Sequence, residues 1–153
     1  IHPDQLIRFQ TIMTKLIQCC NERMQYQSAR FNMPDAELRC LLLFEGTRYL
    51  TPKEIAFRMN VVKSRVTKII NGLLKKRYIQ KIKDPKDSRI ALLSLTSQGR
   101  KKMTEIIDFN DRIHKEVLIS MKPEQRNIIL ANLDILNQAM ESAKGLMMRD
   151  SEP

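Results

Sequence analysis

Groups able to bind a polyanion crowd into one short stretch of this chain. Lys63, Ser64, Arg65, Thr67, Lys68 and Asn71 fall within nine residues. On a helix turning about 100° per residue, Ser64, Thr67, Lys68 and Asn71 share a face with Lys75, and Lys63 and Arg65 flank it. Val66, Ile69, Ile70 and Leu73 fall opposite. An ordinary solvated helix mixes both signs of charge to gain i,i+4 pairs, yet this face holds no carboxylate. Ammonium and guanidinium groups neutralise phosphates, while hydroxyl and amide groups reach the hydrogen-bonding edges of bases. A second charged group, Lys86, Asp87 and Arg89, lies in the turn-rich segment Asp84-Pro85-Lys86-Asp87-Ser88-Arg89.

Charge counting selects the same region without any motif. Residues 53–102 hold fifteen Lys or Arg against three acids, Glu54, Asp84 and Asp87. The chain as a whole carries a net charge of +10, so the remainder is slightly acidic. A generally soluble basic protein spreads its excess, whereas this one confines it to one third of its length, the footprint of a polyanion-binding surface.

Other reactive side chains offer less. No nucleophile–base arrangement, P-loop or dinucleotide fingerprint occurs, so neither an enzyme nor a cofactor is expected. His2 and His114 stand apart from any ligand-spaced His, Cys, Asp or Glu, and no metal site is expected. Cys19, Cys20 and Cys40 are an odd number without an export signal, which points to a reducing cytoplasm rather than a disulfide framework. Cys20 falls on an apolar stripe, Cys40 on a buried-looking helix, and Cys19 looks the more exposed; free cysteine commonly serves as a small hydrophobe. No apolar run approaches the ~18 residues of a membrane span, so no membrane partner is expected. The chain begins at Ile1 rather than Met, which suggests that a few residues precede it.

The elements that must position these groups read as mainly helical. Residues 4–30 form one long helix whose stripe is Leu6, Phe9, Met13, Leu16, Ile17, Cys20 and Met24. Pro34 suits the first turn of a second helix, with Leu38, Leu41, Leu42 and Phe44 inside and Gly46 at its end. Thr51-Pro52-Lys53-Glu54 is a capping box opening a third, with Ile55, Ala56 and Met59 inward and Asn60 at the turn. The basic helix spans residues 62–76. Alternating segments 78–83 and 90–95 make a hairpin around the charged tip. Thr96 caps a fifth helix bearing Met103, Ile106, Ile107, Ile113 and Val117. Pro123 and Glu124 open a sixth, with Ile129, Leu133, Leu136 and Met140 near heptad spacing. After Gly145 the tail is expected to fray.

This order resembles the MarR-type transcriptional regulators, a winged helix-turn-helix family. Its most specific part is Asp87-x-Arg89, five residues, then Leu95-Thr96-x-x-Gly99. The resemblance implies a homodimer that reads a pseudo-palindromic operator in double-stranded DNA. Lys63, Ser64, Arg65, Thr67 and Lys68 match recognition-helix positions, Arg89 matches the arginine that enters the minor groove, and Asp87 matches the acid that orients it. Some relatives of this family use a reactive cysteine. The chain departs from the family at Asn60 and Arg77, where Gly is frequent, and at Val62, where a Ser cap is frequent.

The expectation is therefore a mainly α fold with a small β-hairpin wing. Residues 1–33 and 100–153 would form the dimerisation helices and residues 34–99 the winged helix-turn-helix DNA-binding module. The DNA-contacting set is Lys63, Ser64, Arg65, Thr67, Lys68 and Asn71 on the helix, with Lys86, Asp87 and Arg89 on the wing. The function expected is that of a cytoplasmic transcription regulator, a repressor, modulated by a small-molecule effector of unknown pocket. Two alternatives stand beside it: a winged-helix protein–protein interaction module and a thiol redox sensor acting through Cys19, Cys20 or Cys40.

Overall fold

The chain runs α1 (Pro3–Phe31), α2 (Asp35–Leu42), α3 (Pro52–Met59), α4 (Lys63–Lys75), β1 (Ile79–Lys83), β2 (Ala91–Leu95), α5 (Ser97–Ile119) and α6 (Pro123–Arg149). This computed structural model describes residues 1–149. Its contacts separate two units, Ile1–Asp108 and the segment from Phe109 onward. The fold class is the expected one, helical with a two-stranded antiparallel wing.

Helix boundaries in the first unit are set by local chemistry. Thr51 accepts a hydrogen bond from the Glu54 N–H at 3.2 Å, and the Glu54 carboxylate accepts one from the Thr51 N–H at 2.7 Å. With Pro52 at the first helical position, the orphan N–H groups at the start of α3 are largely satisfied. Three helix ends close on non-glycine residues in the left-handed region: Asn32 (φ 49°), Asn60 (φ 52°) and Arg77 (φ 58°). At Arg77 the bonds are Arg77 N–H to Leu74 O, 2.9 Å, and Tyr78 N–H to Leu73 O, 3.0 Å, a Schellman closure that reverses the chain into the wing. Asn tolerates this conformation readily and Arg does not, so the α4 end keeps the turn geometry of a glycine without the glycine.

The core of this unit gathers around Leu38, Leu41, Leu50, Ile55, Leu73, Leu93 and Ile106, all essentially inaccessible to solvent. Each such side chain contributes about 1.5–3 kcal/mol of burial. The apolar face read for α4 is the buried one, since Val66, Ile69, Ile70 and Leu73 are all buried. β1 and β2 pair in the register Ile79↔Leu95 through Lys83↔Ala91. Leu50, just ahead of the α3 cap, adds an isolated bridge to Leu93 and ties the start of α3 to the wing.

Some expectations are corrected. Pro34 precedes α2 as its N-cap and does not lie in its first turn. α2 ends at Leu42, four residues before Gly46, because the chain tightens into turns at Leu43 and Phe44. Leu42 is only half-buried, and Phe44 is buried but lies beyond the helix. α6 continues past Gly145 to Arg149, since a helix tolerates an interior glycine at a modest cost. Residues 150–153 lie outside the described residues.

In the second unit, Arg126 Nε donates to the Leu118 and Met121 carbonyls at 2.7 and 3.1 Å, closing the turn between α5 and α6. The α6 stripe lies largely in solvent, with Leu133 45% and Met140 47% exposed. In the first unit the α1 stripe is just as bare, with Leu6, Phe9, Leu16 and Ile17 all about half exposed.

Candidate nucleic-acid interface

The six polar positions read from α4 emerge together on its open side. Lys63, Ser64, Arg65, Thr67, Lys68 and Asn71 are all exposed. Thr67 Oγ1 donates to the Lys63 carbonyl at 3.1 Å, which leaves the hydroxyl oxygen free to accept. The first turn of α4 contains no acid, and Val62 caps it without a side-chain hydrogen bond. The N-terminal N–H groups of the helix form its positive pole beside Lys63 and Arg65.

The wing supplies the second part. Arg89 donates from Nε to Asp87 Oδ1 at 3.1 Å and from an Nη to Oδ2 at 3.4 Å, and its backbone N–H donates to Oδ1 at 3.0 Å. The fork is aimed by this acid while the arginine side chain stays 90% exposed. The Arg89 guanidinium, followed by its backbone N–H, holds the Asp87 carboxyl below the usual carboxylate range. An exposed ion pair adds little stability; its effect is to restrict where the guanidinium points. Lys86 is exposed beside it, its N–H bonded to Asp84 Oδ1 at 2.7 Å.

Between these parts runs a groove of about 600 Å³ whose walls include Pro52, Lys53, Lys63, Thr67, Arg89 and Ile90. It brings the α4 cations and the wing arginine to one place. It also adds a cation that the helix-face reading left out, Lys53 in the first turn of α3. The signal for it lay in the capping box, which presents Lys53 at a helix N-terminus beside the turn.

The signature after the wing has a structural reason. Thr96 Oγ1 donates toward the Arg77 carbonyl at 2.6 Å and accepts from the Gly99 N–H at 2.9 Å. A Cβ at Gly99 would overlap the Tyr78 carbonyl. Thr96 and Gly99 thus seat the start of α5 on the link between α4 and β1.

Comparison with known proteins bears on this geometry. Residues 31–90 match the family model described as the MarR family. The match falls on the winged module. The chain is similar to an uncharacterized HTH-type transcriptional regulator, YdgJ of Bacillus subtilis, 25% identical over 95 residues, which is 62% of this chain and 58% of that protein. The chain therefore spans less than two thirds of that relative's length. It is also 22% identical to the HTH-type transcriptional repressor YetL of Bacillus subtilis over 126 residues, 81% of this chain and 75% of that one. Among solved structures, Streptococcus pneumoniae FabT in complex with DNA has the same fold, with a TM-score of 0.79 and 20% identity over 88% of this chain and 99% of FabT.

The cysteines separate by environment. Cys40 is wholly buried and its thiol is pushed up to about 12, by desolvation and then by the nearby Glu37 carboxylate. A thiol so held is not ionised near neutral pH and is a poor nucleophile. Cys19 and Cys20 are both exposed on α1, so the apolar stripe does not bury Cys20 within this chain. Among the described residues, no group of three or more His, Cys, Asp or Glu is placed to hold a metal, and no helix is long and apolar enough to cross a membrane.

Proposed function

We propose that this chain is a sequence-specific double-stranded DNA-binding transcription regulator, acting as a homodimer and not as an enzyme. The observation that carries the reading is the acid-free face of α4, opening beside a wing arginine that Asp87 holds outward. The MarR-type match over residues 31–90 and the fold shared with a DNA-bound protein support it. Lys63, Arg65 and Lys68 neutralise phosphates and give affinity without sequence information. Ser64, Thr67 and Asn71 reach base edges in the major groove, and Arg89 senses the narrow, negative minor groove. Repression is the regulatory sense suggested by the likeness to YetL.

The half-exposed stripes of α1 and α6 support the dimer, since contiguous apolar surface on a water-soluble chain marks an interface. Two-fold symmetry then predicts half-sites about one helical turn, ~34–36 Å, apart. A small-molecule effector would bind where α1 meets the module. An open cleft of about 720 Å³, lined by Met24, Gln25, Ser28, Met33 and Asp35 among others, lies there. Such a ligand acts only by binding one arrangement of the two modules better than another.

Selection of bound sequences from random duplex DNA tests the proposal. Recovery of an inverted repeat with one-turn spacing is expected. Failure to enrich any sequence, with no shift of mixed duplex at low salt, would overturn it and favour a protein–protein role for the basic face.

A further inference from the structure

One cation of the basic stretch faces inward. Lys76, the residue that caps α4, places Nζ 2.8 Å from Glu37 Oε2 of α2. Among the described residues Glu37 is the one buried carboxylate, 7% exposed. Its Oε2 has no hydrogen-bond donor of good geometry, so the Lys76 charge is what compensates it. One turn earlier on α4, Gly72 offers no side chain, and a Cβ there would overlap this same carboxylate. The Glu37 head therefore lies against the α4 backbone at Gly72 and grips the helix again at Lys76.

We propose that Glu37 is a positioning residue for DNA reading: through Gly72 and Lys76 it fixes how α4 is rolled and seated on α2. The inference rests on the DNA reading above. Two grips one turn apart on one helix restrain rotation and sliding together, which a single contact does not. They are placed at the end of α4 that needs them least for its own hydrogen bonding, because the Schellman turn already closes it. The opposite end, which carries Lys63, Ser64 and Arg65, has no side-chain cap at Val62. Its orientation is inherited from the buried face and from the Glu37 grip. A helix held this way delivers Ser64, Thr67 and Asn71 to base edges at a fixed angle, and a buried charge accepts only its partner because an uncompensated one is costly. Lys76 is thereby withdrawn from the set that neutralises phosphates, although it belongs to the same basic run.

The test uses the full chain, the duplex it selects from random DNA, and a mixed-sequence duplex of equal length, each titrated across a salt series. Glu37→Gln, Lys76→Gln and Gly72→Ala are each expected to lower the ratio of selected to mixed-sequence affinity by about tenfold. The slope of affinity against salt should not change, because no phosphate contact is removed. Lys76→Arg, which keeps the charge, should restore most of the ratio. Amide hydrogen exchange in the last turn of α4 should quicken in Lys76→Gln, a reading independent of DNA that also shows the variant is folded. A folded set of variants with unchanged ratio overturns the inference, as does a Lys76→Gln slope that falls by about one phosphate contact. An unaltered chain that shifts no duplex at all instead sinks the DNA reading and any role of Glu37 in it.

Discussion

Arg89 shows what a single residue can contribute when a neighbour restrains it. Its guanidinium is almost fully in solvent, yet three hydrogen bonds with Asp87 hold it at the wing. Arg89→Ala is expected to weaken binding of the selected duplex roughly tenfold, the scale of one well-placed contact, with an unchanged thermal melt. The melt is unaffected because an exposed pair contributes little to folding. The pH dependence has a definite sign. The folded Asp87 carboxyl titrates below its ordinary 3.8. The interaction is therefore fully present above that value and is lost as pH falls through the lowered folded pKa. NMR titration of the Asp87 carboxyl should show a midpoint below 3.8 in the unaltered chain and a return toward it in Arg89→Ala. An unshifted midpoint would mean that the fork does not persist in solution.

At the scale of elements, features set by local chemistry were legible and those set by distant partners were not. The Thr51 and Glu54 box, the left-handed Asn60 and the two faces of α4 depend on residues a turn or less apart, and each could be read in order. The end of α2 was misplaced because Gly46 is a plain stop signal, while packing of Leu41 and Phe44 tightens the chain sooner. The Lys76 contact was not legible because its partner lies on another helix, and no local pattern marks Glu37 as buried. Cys20 is exposed although it falls on the α1 stripe, because an apolar stripe implies burial only if something covers it. The Leu95-Thr96-x-x-Gly99 signature was recognisable as a spacing, but its reason appears only when Gly99 is seen against the Tyr78 carbonyl. Gly99→Ala is accordingly expected to destabilise the chain by about 1–3 kcal/mol, the usual cost of overpacking. Denaturant unfolding measures this. No change in the midpoint would show that α5 can move away from the α4–β1 link at no cost.

For the whole molecule the decisive feature is bare apolar surface. Leu16 of α1 is 48% exposed and Leu133 of α6 is 45% exposed, each within a stripe of similar side chains. A homodimer would cover these stripes, and sedimentation should give twice the 17.9 kDa chain mass. Leu133→Glu should shift the population toward monomer; a monomeric unaltered chain would contradict the two-headed reading. Paired heads would strengthen binding, because each would add its own phosphate contacts to one site.

The most direct test of the central claim is the salt dependence of binding to the selected duplex. The account predicts that log affinity falls linearly with log salt, with a slope of about 0.9 for each phosphate neutralised, and that this slope shrinks by about one contact per head in Lys63→Ala or Arg65→Ala. A flat response, or a slope indifferent to both substitutions, would contradict it.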